Sequence, residues 1–348
     1  MIHFFALPLP EPPVAYRETD HTREKKAHTR QRLLSAARAF GRGGRHHLPA
    51  LPQQAGTGGR SIPLCHFLLL PPVCITLELA TSLQAGAGMD WLMLGLIMLG
   101  DVLAHVSVNM LNEYQDFSSG LDFNTRRTPF SGGTGALPAQ PTAARLVLAG
   151  GIVTLLLVIA IGLFFIVRSG WSILPFGLLG AALIVLYTGP INRNPLLCLI
   201  APGLGFGVLM VAGSHLLLAG SVDSRAWLAS LLPFFLVNNL LLLNQFPDID
   251  ADRQAGRYHA LIAWGVKRSA QIFTGFWLAA IAVVVGGILA GLFPAASWLT
   301  LTGLAPGAVA VRGAFAQGAA LGEHPPYLAA NVICTLLSPL ILALTLLL

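Results

Sequence analysis

Nine apolar runs, each about as long as a bilayer is thick, constrain this chain more than any other feature. They fall roughly at 63–83, 91–112, 141–167, 171–190, 196–219, 226–247, 268–291, 293–311 and 326–348. A helix needs about 20 predominantly apolar residues to cross the hydrocarbon core. Inside lipid the backbone must satisfy its own polar groups, which favours helices over open sheets. The expected fold is therefore all-α: a polytopic membrane helix bundle of about nine transmembrane helices. Charge agrees, since only 10% of residues are charged, against roughly 25% in soluble domains. Pro71-Pro72 interrupts the first run and should kink or delay its helix.

Two domains are expected. Residues 1–60 are rich in Pro, Gly, Arg and His and lack periodicity, so they read as a disordered basic tail; a true start near residue 60 is the other reading. Residues 61–348 form the membrane domain. The net charge of +6 does not signal nucleic-acid binding. The tail holds ten Lys/Arg and four Asp/Glu, which leaves the membrane body close to neutral. Cys65, Cys74, Cys198 and Cys334 all sit in apolar segments without disulfide or metal spacing.

Polar chemistry is concentrated in two windows. Residues 109–135 carry Asn112, Glu113, Asp116, Asp122, Arg126 and Arg127, followed by the glycine-rich Ser131-Gly132-Gly133-Thr134-Gly135. Residues 244–257 carry Asp248, Asp250, Asp252 and Arg257. Outside the tail there are eleven acidic residues, and six fall in these windows, which is not how solvated loops distribute charge. Asn112 and Asp116, like Asp248 and Asp252, are four apart and share a helix face. Gly120 is placed to end the first helix and let Asp122 fold back. Converging carboxylates call for a divalent cation, and hard oxygens suit Mg²⁺. Arginines and free backbone N–H groups add what a diphosphate needs. The windows read as a pair of Mg²⁺ ions gripping one diphosphate.

Counting Lys and Arg orients the bundle. Loops 113–140, 191–195, 248–267 and 312–325 hold Arg126, Arg127, Arg193, Arg253, Arg257, Lys267 and Arg312, whereas the opposite loops hold only Arg168 and Arg225 at their edges. Both acidic windows are thus expected in the cytoplasm of a bacterial-type inner membrane, with the C-terminus outside. Glu78, Asp101, His105, Asn109, His215, Asn238 and Asn239 lie within spans and should face the bundle interior. Asp101, His105 and Asn109 step towards Asn112 as a polar stripe, which fits either an interhelical hydrogen-bond network or a cavity lining. Gly203, Gly205 and Gly207 read as marks of close helix packing.

These residues resemble the UbiA superfamily of intramembrane prenyltransferases across about residues 60–348. That family has a first motif Asn-Asp-x-x-Asp-x-x-x-Asp and a second Asp-x-x-x-Asp at cytoplasmic helix ends. Here Asn112, Glu113, Asp116 and Asp122 stand for the first, and Asp248 and Asp252 for the second. Tyr187-Thr188-Gly189-Pro190 also looks like a family signature. There are departures. Glu113 replaces Asp, and Asp122 lies six residues beyond Asp116 rather than four. Gly120-Leu121-Asp122 resembles the branch that prenylates 1,4-dihydroxy-2-naphthoate. The Arg-Pro-Leu run of 4-hydroxybenzoate prenyltransferases is absent, and Gly256-Arg257-Tyr258-His259 replaces Gly-Lys-x-Thr.

The resemblance implies Mg²⁺-dependent transfer of a prenyl group from a polyprenyl diphosphate to an aromatic acceptor in quinone biosynthesis. Asp116, Asp122, Asp248 and Asp252 would hold the metal, with Asn112 completing the shell. Arg126, Arg127, Arg257, Lys267 and Ser131 would bind the diphosphate. Tyr187 would shield the allyl cation through its π face or stand as an interfacial tyrosine without a role. Asp250 and Glu113 are the candidates for the base. Besides the acceptor, membrane lipid is the expected partner; nothing calls for nucleic acid or an obligate protein partner. Other acceptors (4-hydroxybenzoate or another quinone precursor, a tetrapyrrole, a glycerol-phosphate lipid) and an ion-coupled transporter are the alternatives.

Overall fold

A computed structural model describes residues 67–125, 127–128 and 130–348. The expected basic tail, Cys65 and Arg126 lie outside the described residues. Among the described residues every regular element is helical. The principal rods are α1 (Leu70–Gln84), α2 (Trp91–Ser119), α3 (Ala144–Ser169), α4 (Leu174–Leu186), α5 (Pro195–Ala219), α6 (Ser224–Asn244), α7 (Ala260–Leu289), α8 (Ala295–Glu323) and α9 (Pro325–Leu346). Among the described residues seven helical segments are long and apolar enough to cross a membrane; α1 and α4 are shorter. The fold class expected from the sequence is thus the one observed.

Several boundaries move, each for a local reason. The α2 helix runs to Ser119 rather than stopping near residue 112. Its 29 residues rise about 43 Å at 1.5 Å per residue, longer than a ~30 Å hydrocarbon core, so its last turns carry Asn112 and Asp116 beyond the apolar zone. Gly120 ends it with φ +83°, a left-handed conformation open to glycine. The other end is fixed by Asp90, whose carboxylate accepts from the N–H groups of Leu92 and Met93 at 3.1 and 3.0 Å. The α7 helix begins at Ala260, earlier than residue 268, and is broken at Gly265 (φ +81°, ψ +166°).

Packing explains the glycines of α5. Residues Leu204–Gly213 form a wide π-turn within that helix. A Cβ on Gly207 would lie 2.6 Å from the Phe234 nitrogen and the Ser230 carbonyl, so the α5 and α6 backbones touch there. The main apolar core gathers Leu77, Val211, Leu232, Leu236, Val284 and Leu342 from α1, α5, α6, α7 and α9. By contrast α3 packs mainly on α2 and leaves Leu146, Leu156, Leu163 and Val167 exposed, as a lipid-facing rod does. Between α2, α3, α4 and α5 the bundle is hollow: a cavity of about 1040 Å³ opens there, apolar along most of its length and acidic at one end.

Candidate active site

The acidic end of the cavity is built where α2 and α6 stop. Asn112 and Asp116 lie on the last turns of α2. Asp122 sits in the single 3₁₀ turn after Gly120. Just beyond α6, Asp248 stands at the N-cap of the six-residue helix Ile249–Gln254, which carries Asp252. All five line the cavity with Glu113, Ser131, Tyr187 and Arg257.

Arg257 joins the two windows. Its Nη2 donates to Asp116 Oδ1 and its Nη1 to Asp252 Oδ1, the latter at 2.9 Å. Each acid has a second anchor. Asp116 Oδ2 accepts from Asn112 Nδ2 at 2.9 Å. Asp252 Oδ2 lies 3.0 Å from His259 Nε2. Asn112 Oδ1 in turn accepts from the Thr188 hydroxyl at 3.0 Å, which ties the Tyr-Thr-Gly-Pro turn to the first window. Tyr258 N–H donates to the Asn192 carbonyl at 2.8 Å and pins the second window to the same turn region. Burial works against the charge on Arg257, but Asp252 and Asp116 outweigh it and hold the guanidinium above its ordinary range.

Asp122 and Asp248 differ from these anchored acids. Asp122 Oδ2 and Asp248 Oδ1 are buried and without a hydrogen-bond partner. Burial, then Asp116 and Glu113, pushes the Asp122 carboxyl up to about 6. Burial, then Asp252, pushes Asp248 up to about 7, although the Ser131 hydroxyl bonds to it. Gly133, at φ +68°, lets the loop close over Asp122: a Cβ there would lie 3.2 Å from Asp122 Oδ1. The two unpartnered oxygens and their strained charge fit a hard divalent cation. Among the described residues no three His, Cys, Asp or Glu groups suffice to hold a metal alone. The expected set Asp116, Asp122, Asp248 and Asp252 is thus not gathered around one metal position. Mg²⁺ takes one or two carboxylates and completes its shell with water and substrate phosphate, so fewer of them would hold it.

Not every expected residue is here. Lys267 is exposed and does not line the cavity, because α7 has begun by Ala260 and carries it past the loop. Arg127 is exposed at the rim, against Gly135 and near the Asp122 carbonyl, and does not line the cavity. Asp250 points outward and pairs with Arg253 on the surface at 3.4 Å, which removes it as a base candidate within the cavity. Asp116 and Asp252, both expected as open metal ligands, each have both oxygens engaged. Sequence reasoning missed His259, buried at 2% exposure behind Asp252. It also missed the amides of Asn192, Asn244 and Gln245 that line the same end. The only signal for His259 was its place two residues after Arg257. The stripe Asp101, His105 and Asn109 proves to be cavity lining.

An apolar chamber inside a bundle of membrane-length helices, closed at one end by two facing acidic helix ends and an arginine, marks an integral membrane protein. Residues 69–320 match the UbiA prenyltransferase family, and the chain belongs to it. A curated relative, the 1,4-dihydroxy-2-naphthoate octaprenyltransferase of Bacillus subtilis (strain 168), is 29% identical over 212 residues. That match covers 60% of this chain and 66% of the relative, so the chain spans just under two thirds of its length. The apo structure of a UbiA homolog from Aeropyrum pernix K1 aligns with a TM-score of 0.63 at 16% identity, covering 82% of this chain and 98% of that one. A digeranylgeranylglyceryl phosphate synthase structure aligns at 0.54 and 15% identity, with the same coverage. These two likenesses establish the fold.

Proposed function

We propose that this chain transfers a prenyl group from an allylic polyprenyl diphosphate to an aromatic acceptor, with 1,4-dihydroxy-2-naphthoate the first choice of acceptor. The observation that carries the reading is the meeting of the two acidic windows around Arg257 at the mouth of an apolar cavity. A diphosphate belongs among the cations and hard oxygens, and a prenyl tail belongs in the chamber. The acceptor rests on the Gly120-Leu121-Asp122 spacing and the Bacillus relative. The transporter reading loses ground, because five of the six carboxylates lining the chamber, Glu113, Asp116, Asp122, Asp248 and Asp252, crowd one end of it.

The chain's own residues divide the work. Asp122 and Asp248 would hold Mg²⁺ through their free oxygens, while Asp116, engaged by Arg257 and Asn112, keeps the two windows together. When bound, the metal neutralises the departing diphosphate. Arg257 stabilises charge as the C–O bond breaks and its electron pair leaves with the diphosphate. Ser131 holds Asp248 in place and closes the headgroup end. Tyr187 lines the chamber where the allyl cation forms, so its ring faces that charge. Apolar walls limit the water that could capture the cation. The acceptor ring then supplies the electron pair for the new C–C bond.

The site faces the cytoplasm in this reading, following the basic loops. The deciding experiment gives membranes containing the protein labelled prenyl diphosphates of graded length and a panel of aromatic acceptors. Prenylated dihydroxynaphthoate product supports the proposal. Transfer to 4-hydroxybenzoate, a tetrapyrrole or a glycerol-phosphate lipid keeps the reaction and replaces the acceptor. Absence of product with every acceptor and donor refutes it.

A further inference from the structure

Far from the diphosphate end, the bundle holds a second polar cluster that the proposed chemistry does not use. Glu78 on α1 and His215 on α5 are fully buried, and Asp101 on α2 reaches the same region. Three of their atoms, Glu78 Oε2, Asp101 Oδ2 and His215 Nε2, are buried without a partner. Among the described residues no Lys or Arg pairs with either carboxylate, and no metal position is formed.

The hydrogen bonds decide what these three atoms need. The Thr81 hydroxyl donates to the Glu78 carbonyl at 2.8 Å, and the Ser82 hydroxyl donates to Glu78 Oε1 at 3.3 Å. Both hydroxyl protons are then spent. With those protons directed at Glu78, His215 Nδ1, at 3.0 Å from the Thr81 oxygen and 3.2 Å from the Ser82 oxygen, is placed to donate in its Nδ1–H tautomer. This leaves a lone pair on Nε2. The cluster thus leaves three buried polar atoms without a partner. Water, with two hydrogens and room for several partners, meets that need, and so does an added proton.

Asp101 joins the cluster to the reaction chamber, which Glu78 and His215 do not line. Asp101, Ser214, His105, Asn109, Asn112 and Asp116 all line the one cavity, and the five on α2 recur every three or four residues along one face. We propose that Glu78, Asp101 and His215 form a hydrated proton-accepting site at the far end of the chamber, reached along the polar face of α2. It would take the proton released when an aromatic acceptor is alkylated. The inference rests on the prenyl-transfer reading above. The balance is simple: the C–O pair leaves with the diphosphate and a ring π pair makes the new C–C bond. The C–H pair then returns to the ring, and the freed proton passes through water to the Asp101 carboxylate. The other titratable groups beside the cluster are Cys74 on α1, His105 one turn along α2, and Asp223 ahead of α6.

The test uses full-length protein in lipid nanodiscs. Asp101→Asn and Glu78→Gln keep size and remove the acid. Asp101→Asn should lower kcat about 10²-fold, the lower end of what a placed proton acceptor contributes. The KM for prenyl diphosphate should not change, and the acidic limb of the pH profile, where the acceptor is protonated before it can act, should move. Asp101→Glu should restore much of the rate. A purely structural role would move KM and stability together and leave the profile alone. Wild-type kcat and profile in both acid-removed variants overturn the proposal while leaving prenyl transfer standing. A second arm needs no turnover. Infrared pH-difference spectra without substrate should show a carboxylic C=O band that shifts in D2O and weakens in either variant. Its absence from the wild type overturns the proposal even if no acceptor is ever prenylated. Should the neutral variants fail to fold, Glu78→Asp and Asp101→Glu keep the acid, and an unmoved band in both is equally fatal.

Discussion

Asp248 and Asp252 look equivalent in sequence, yet the structure gives them opposite roles, and substitution to Asn separates them. Asp252 is 3% exposed at its side chain and holds both Arg257 and His259. Removing one partner from a buried ion pair costs about 3–5 kcal/mol. Arg257 keeps Asp116, and the Asn oxygen still accepts one bond, so Asp252→Asn should cost about 2–4 kcal/mol. Asp248 carries an unpartnered oxygen and a carboxyl pushed up by burial and by Asp252. Asp248→Asn removes an unfavourable charge and should leave stability within about 0.5 kcal/mol of wild type, or raise it. Activity should not follow stability. Asp248→Asn should fold well and lose turnover by about 10² or more, as losing one charge-stabilising group does. The assay is denaturant unfolding in detergent without divalent cation, with turnover measured on the same preparation. Equal stability of the two variants would refute the anchoring role of Asp252. Normal turnover in Asp248→Asn would refute its place in the reaction.

The pH dependence of the metal-free protein has a definite sign. Asp122 and Asp248 rise from 3.8 to about 6 and about 7 on folding, so their contribution is present below about pH 4 and lost as pH climbs towards 7. Unfolding midpoints should fall between pH 5 and 8 without divalent cation and recover with Mg²⁺, more so at pH 8; a flat profile counts against the unpartnered acids. Turnover should need Mg²⁺ or Mn²⁺ and respond poorly to Zn²⁺, since the donors are hard oxygens; full activity after exhaustive chelation would remove the metal from the reaction. Gly207→Ala should strongly destabilise the bundle, because the new Cβ meets α6 backbone at 2.6 Å; wild-type stability would show that the helices do not touch there. Asp90→Ala should cost about 1 kcal/mol and Asp90→Asn little, as expected of an N-cap, which unfolding of the two variants compares directly.

Much of this was legible in the chain. The apolar runs set the fold class, and Gly120 marks the end of α2 as a left-handed glycine should. The spacing of Asn112 and Asp116 did put them in one hydrogen bond. What was not legible followed from packing. Lys267 and Arg257 both read as cations after the second window, but α7 starts at Ala260 and leaves only Arg257 inside. Asp250 reads like its neighbours Asp248 and Asp252, yet it points outward, because on the short helix between them it lies on the other face. His259 carries no pattern at all; its role appears only when Asp252 is seen against it.

The deeper limit concerns division of labour. Two acids four residues apart must share a helix face, but spacing cannot say which one faces a partner and which one is left open. That is decided by Arg257, which comes from the second window and completes its bonding on Asp116, 141 residues away in sequence. Arg257 links the two helix ends through Asp116 and Asp252, so those acids serve the architecture as well as the chemistry. Asp122 and Asp248 are left with the unpartnered oxygens. A site of this kind needs both sorts of carboxylate. Four open acids would repel each other apart, and four paired acids would have nothing to offer a metal. The arginine that splits them into two pairs is therefore the residue on which the geometry of the whole headgroup end depends.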